Sequence, residues 1–145
     1  MSRFSATGKT LATAANSNIL SIRSTATQRA MIEELYAYAE AATAWLSPAL
    51  FLTTVVDTAG TGVTFQKEDG GSGAASVTLQ TIPTGGTLAA VAHKRASLPA
   101  VIGSGFIWSW PPGEGLIVAV SLSAMLRNDG VIGPAITWGA TVREV

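Results

Sequence analysis

Apolar and polar positions alternate with period two over much of the last third of the chain. From Gly115 to Arg127, Leu116, Val118, Val120, Leu122, Ala124 and Leu126 fall on one side. Ile117, Ala119, Ser121, Ser123, Met125 and Arg127 fall on the other. Such alternation is the mark of a half-buried strand. Arg127-Asn128-Asp129-Gly130 reads as a turn, and the alternation resumes to Val145. Ile136, Trp138, Ala140 and Val142 then share a face, opposed by Thr137, Thr141 and Arg143. The pattern predicts strand, turn, strand, closing the chain as a hairpin.

Shorter alternating or β-branched runs precede it. Asn18–Ser24 sets Leu20 and Ile22 against Ser21 and Arg23, and Phe51–Asp57 is rich in Thr and Val. Thr64–Gln66, Ser76–Gln80 and Thr87–Arg95 are further candidates. Phe106–Trp110 places Phe106, Trp108 and Trp110 on one side before Pro111-Pro112-Gly113 ends it. Gly- and Pro-rich breaks separate these runs. About eight strands at this spacing predict an all-β antiparallel sandwich or barrel.

Residues 27–46 are ambiguous. Ala, Glu, Leu, Met and Gln dominate them, which favours helix, and Met31, Leu35, Tyr38 and Ala42 share a helical face. Yet Leu35, Ala37 and Ala39 also alternate with Glu34, Tyr36, Tyr38 and Glu40, which suits a half-exposed strand. By propensity alone the segment reads as helix. Residues 1–17 show no sustained period and read as an N-terminal arm, frayed or ordered on a neighbouring subunit. Residues 18–145 form the single sandwich domain.

Composition narrows the function. Charged residues make up 12% of the 145, with nine basic and nine acidic side chains and zero formal net charge. Globular domains carry about 25% charge, so part of this surface is expected to be covered by neighbours. No basic stripe points to nucleic acid. No apolar run approaches the ~20 residues of a membrane helix. There are no cysteines, hence no disulfide or thiolate metal site.

Candidate chemistry is sparse. Ala6-Thr7-Gly8-Lys9-Thr10 lacks the upstream glycine of a phosphate loop, having Arg3 in its place. His93 is the only histidine and reads as a surface residue. Glu68-Asp69 lacks the ligand spacing of a calcium loop. No pair among the carboxylates is singled out for acid–base work. No catalytic residue, cofactor or metal is expected. The tryptophans of FIWSWPPG read as core or interface groups, with a sugar-stacking platform as the alternative.

Taken together, several segments resemble small structural proteins of tailed-bacteriophage virions. They are NILSIRSTATQRAMIEELYAYAEAATA, the stretch from Gln66 and Asp69 into GAASVTLQT, then HKRASLPAVIGSGFIWSWPPGEGLIVAVSLSAML and PAITWGATVREV. The resemblance spans most of residues 18–145 and is carried most by LPAVIGSGFIWSWPPGEGLIV. It implies a jelly-roll-like sandwich, and it implies a strand rather than a helix over 27–43. It also implies a non-enzymatic protein of the virion, assembled in the host cytoplasm. Such a protein decorates or cements a capsid, or serves in the tail, neck or a fibre. The implied partners are further copies of itself, as trimer or pentamer, and the major capsid protein or other virion proteins. Phe4, Leu11, Tyr36, Tyr38, Trp108 and Trp110 are the candidate interface residues. A carbohydrate-binding module at a virion tip is the second reading.

Overall fold

The computed structural model describes residues 2–10, 13–42, 44–58, 60–68, 70 and 73–145. Among them the chain forms thirteen strands and no helix. The strands are β1 (Arg3–Thr10), β2 (Ser17–Arg23), β3 (Ala30–Ala39), β4 (Pro48–Val55), β5 (Thr61–Val63), β6 (Gln66–Lys67) and β7 (Thr78–Thr81). They continue with β8 (Thr87–Leu88), β9 (Lys94–Arg95), β10 (Gly105–Ser109), β11 (Leu116–Val118), β12 (Ser123–Asn128) and β13 (Ile136–Glu144).

Two antiparallel sheets pack face to face. The first runs β10-β3-β13-β1-β6, with β11 also on β3; the second runs β5-β7-β2-β12-β4-β8, with β9 also on β4. The first four strands alternate between the sheets, and the last two return to fill the gaps they leave. Thus β13 lies between β1 and β3, while β12 lies between β2 and β4. This long-range closure gives the jelly-roll-like sandwich that the sequence led us to expect. Its cause is visible in the inner faces. Leu20, Ile22, Leu50, Ala124 and Leu126 of one sheet join Phe4, Ile32, Leu35, Ile136, Trp138 and Val142 of the other in one buried cluster.

Several expectations are corrected. Residues 30–39 are a strand, as the resemblance implies and against the helix that propensity alone favours. The alternation is what the fold uses: Leu35, Ala37 and Ala39 are buried while Glu34, Tyr36 and Tyr38 are half-buried. With β13 on one side and β10 and β11 on the other, β3 satisfies its backbone groups in the ladder, and packing overrides helix propensity. The N-terminal segment is no arm either. Residues 3–10 pair along their whole length with β13, and Phe4 is 1% exposed. Its inward positions after Phe4 are Ala6, Gly8 and Thr10, too small to announce a strand. They are small because Trp138 faces them: a Cβ on Gly8 would lie 2.6 Å from the Trp138 ring.

The long run 115–127 is not one strand, and the chain end is not a hairpin. Leu116–Val118 belongs to the first sheet and Ser123–Asn128 to the second. Between them Ser121 takes φ +59°, and its N–H donates to Thr25 O at 2.9 Å. The chain crosses between sheets there. Because β12 and β13 lie in different sheets, they do not pair with each other. The expected count of about eight is exceeded because β5, β6, β8, β9 and β11 are pieces of only two or three residues.

Candidate functional site

Two irregularities meet on the outer face of the first sheet. In the β3–β13 ladder Thr141 faces Glu34 and Val142 faces Ile32, so Glu33 is an extra residue, a β-bulge. On the other side of β3 the edge is broken at the same level. There β10 ends with Ser109 opposite Glu34, and β11 begins with Leu116 opposite Ile32. Residues 110–115, WPPGEG, leave the sheet as a loop. Trp110 N–H still donates to Glu33 O at 3.0 Å. Gly115 is required where the loop rejoins, since any Cβ would collide with the Ile32 carbonyl.

The result is a hollow of about 140 Å³ lined by Arg3, Glu33, Glu34, Ser109, Trp110, Pro112 and Arg143. Glu33 is 5% exposed, and its carboxylate receives Arg3 Nε and Arg143 Nε, each at 2.9 Å. Arg3 reaches on to Glu68 at 3.1 Å. A buried charge needs such pairing. Glu34 and Trp110 are half-buried, and Lys94 Nζ lies 5.6 Å from the Trp110 ring centroid, within cation–π range.

A second polar cluster lies on the outer side of the second sheet. Asp57 accepts from Ser21 Oγ at 2.8 Å, Ser123 Oγ at 2.6 Å and Arg23 Nε at 2.9 Å. Burial pushes its carboxyl up, but hydrogen bonds from Arg23, Ser123 and Ser21 and the Arg23 charge outweigh this, leaving it below the ordinary carboxylate value. Thr53 Oγ1 donates to Ser123 O at 3.0 Å. The cluster ties β2, β4 and β12 together. Its donors leave no carboxylate oxygen directed at an open cleft, so it acts as a brace.

A third feature is apolar. Backbone bonds gather the connections after β3, β9 and β12 at one end of the sandwich. Gly103 N–H donates to Ala39 O, Glu40 N–H to Ala135 O and Asp129 N–H to Ser47 O, each at 2.8 Å. Leu46 bridges Leu98, and Gly133 N–H reaches Thr13 O at 2.8 Å. These connections carry Trp45, Val101, Ile102, Val131 and Ile132, each more than half exposed.

The sequence-derived interface residues are scattered. Phe4 is core, which removes it as a contact residue. Leu11 lies outside the described residues, as does Asp69 of the calcium candidate. Tyr36 and Tyr38 stand side by side on the outer face of the first sheet, ring centroids 5.7 Å apart. Trp108 packs on Phe106 at 4.0 Å and is a partly buried neighbour of the core. Trp110 is likewise a partly buried neighbour of the core and also lines the hollow. His93 is exposed. Among the described residues no three His, Cys, Asp or Glu side chains group as metal ligands. A cavity of about 410 Å³ beside β5 and β7 is lined chiefly by apolar groups such as Val63, Phe65, Val77 and Leu79. Among the described residues none of its lining side chains is titratable.

Sequence reasoning missed Arg3, Glu33 and Arg143, because a bulge leaves no mark in composition. It also missed the loop-end group. Trp45, standing outside every alternating run, was the available signal. Comparison with protein-family models, with curated proteins and with solved structures found no match to this chain.

Proposed function

We propose that this chain is a non-enzymatic structural protein of a tailed-bacteriophage virion, a capsid decoration or cement protein that docks through the apolar loop end. The observation that carries the reading is the group Trp45, Val101, Ile102, Val131 and Ile132, exposed together at one end of a rigid sandwich. Exposed apolar groups gathered on one surface mark contact sites. The 12% charge content and the sequence resemblance support the same reading.

Magnitudes favour a lattice. Fully burying one such side chain contributes about 1.5–3 kcal/mol, whereas association costs roughly 4–15 kcal/mol. Five half-exposed groups therefore leave a single copy weakly bound. Copies joined to one another and set on a repeating shell gain avidity without new contacts. The subunit contact is assigned to the outer face of the first sheet, where Ile107 stands opposite Tyr36 and Ile117 opposite Met31. Both isoleucines are exposed.

Native mass spectrometry tests the assembly half of this reading. A closed trimer or pentamer, dissociated by Ile107→Glu, is the expected result. A wild-type chain that stays monomeric at micromolar concentration contradicts it.

A further inference from the structure

We propose that the hollow built by the Glu33 bulge and the WPPGEG loop is a binding site for one neutral pyranose ring, such as the terminal sugar of a surface glycan. The proposal is independent of the docking loop end; it requires that the subunit contact on the same sheet face leave the hollow open. It rests on construction, charge and chemistry together.

Construction comes first. A bulge in a central strand and a break in the neighbouring edge strand fall at the same level. Bulges are found beside functional sites, where they re-aim side chains. Here the bulge turns Glu33 and Glu34 towards one hollow, and the edge break supplies its aromatic wall, Trp110.

Charge decides the ligand class. Two arginines and two glutamates line the hollow, so its lining is electroneutral. An ion would enter without net attraction. A neutral polyol loses nothing by this, and it can donate to a carboxylate and accept from a guanidinium at once. Glu33 is held by two arginines and is spent. Glu34 makes no ion pair among the described residues and is left to accept sugar hydroxyls. Among the described residues Arg143 engages Glu33 through Nε alone. Its terminal nitrogens remain as donors. Trp110 is half-buried against the core, with Lys94 Nζ 5.6 Å from its ring centroid; the part of the ring that lines the hollow is the apolar surface on which the C–H side of a pyranose packs. The size is also decisive. At about 140 Å³ the hollow is below the ~300 Å³ of ordinary small-molecule clefts. It admits one ring, not a chain.

The test is a titration of the intact protein with the methyl pyranosides of glucose, galactose, mannose and N-acetylglucosamine. The readout is the indole N–H resonances of its tryptophans. With at least one sugar, the Trp110 signal should move saturably while that of the buried Trp138 stays still. Glu34→Gln, which keeps shape and removes charge, should weaken binding about tenfold or more. Trp45→Ala, at the loop end, should leave it unchanged. A Trp110 signal that none of the sugars moves overturns the proposal. So does a shift that Glu34→Gln does not alter.

Discussion

The ring of Tyr36 lies across Gly139, its direct partner in the β3–β13 ladder. A Cβ built on Gly139 would fall against Cζ and the hydroxyl of that ring. The same relationship recurs twice. Tyr38 covers Gly105, its partner on β10, and Trp138 covers Gly8, its partner on β1. Each aromatic thus occupies the space that a glycine leaves empty on the next strand, an arrangement that offsets the weakness of glycine within a sheet.

Gly139→Ala should therefore force Tyr36 off its seat and lower stability by about 1–3 kcal/mol, as overpacking does. In a Tyr36→Ala background the same change should cost much less. Urea denaturation of the four proteins in the cycle measures the coupling. Equal penalties in both backgrounds would show that the ring and the glycine are not linked.

Trp138 fills the centre of the core and is 0% exposed. Trp138→Ala should cost about 3–5 kcal/mol. Among the described residues its Nε1 has no hydrogen-bond partner, so Trp138→Phe loses volume but no bond and should be milder. Adding Gly8→Ala to Trp138→Phe should recover part of that loss, although Gly8→Ala alone destabilises. Thermal unfolding of the single and double variants checks the order.

Asp57 links acidity to stability. Its folded-state carboxyl titrates below the ordinary value, so it stabilises the fold above the unfolded carboxylate pKa of about 3.9. That contribution is lost as pH falls through the lower, folded-state value. Asp57→Ala strands Arg23, Ser21 and Ser123 and should cost about 3–5 kcal/mol at neutral pH. The difference from wild type should shrink in strong acid. Urea midpoints measured across an acid series would refute this if the gap stayed constant.

The position of β13 gives a further expectation. A strand lying between β1 and β3 cannot be removed without opening the first sheet. A chain truncated after residue 134 should lose its cooperative unfolding transition and its β-type circular dichroism. Retention of both would mean that the C-terminal strand is peripheral.

Much of this fold was legible because alternation is a local signal. Ile136, Trp138, Ala140 and Val142 are all at most 2% exposed, on the face the pattern assigns them. The failures share a physical cause: information held by a partner strand. The β1 strand reads as featureless because Trp138, far along the chain, supplies the bulk that Ala6 and Gly8 lack. Residues 30–39 read as helix because propensity is blind to the ladders on both sides. The run 115–127 reads as one strand because a single left-handed residue, Ser121, ends the first segment without Gly or Pro. In the candidate site, Trp110 was visible as an aromatic next to a Pro-Pro-Gly turn. Glu33 was not, since only the register against Thr141 and Val142 makes it the extra residue.

The docking reading, under which a tailed phage encodes the chain, is tested most directly by co-sedimentation with genome-emptied capsids of that phage. Wild-type protein should saturate the shells at a fixed stoichiometry matching their symmetry, and Trp45→Ser with Ile132→Ser should abolish binding while leaving the thermal transition intact. A wild-type chain that stays in the supernatant at every concentration, or a double variant that binds as well as wild type, would contradict it.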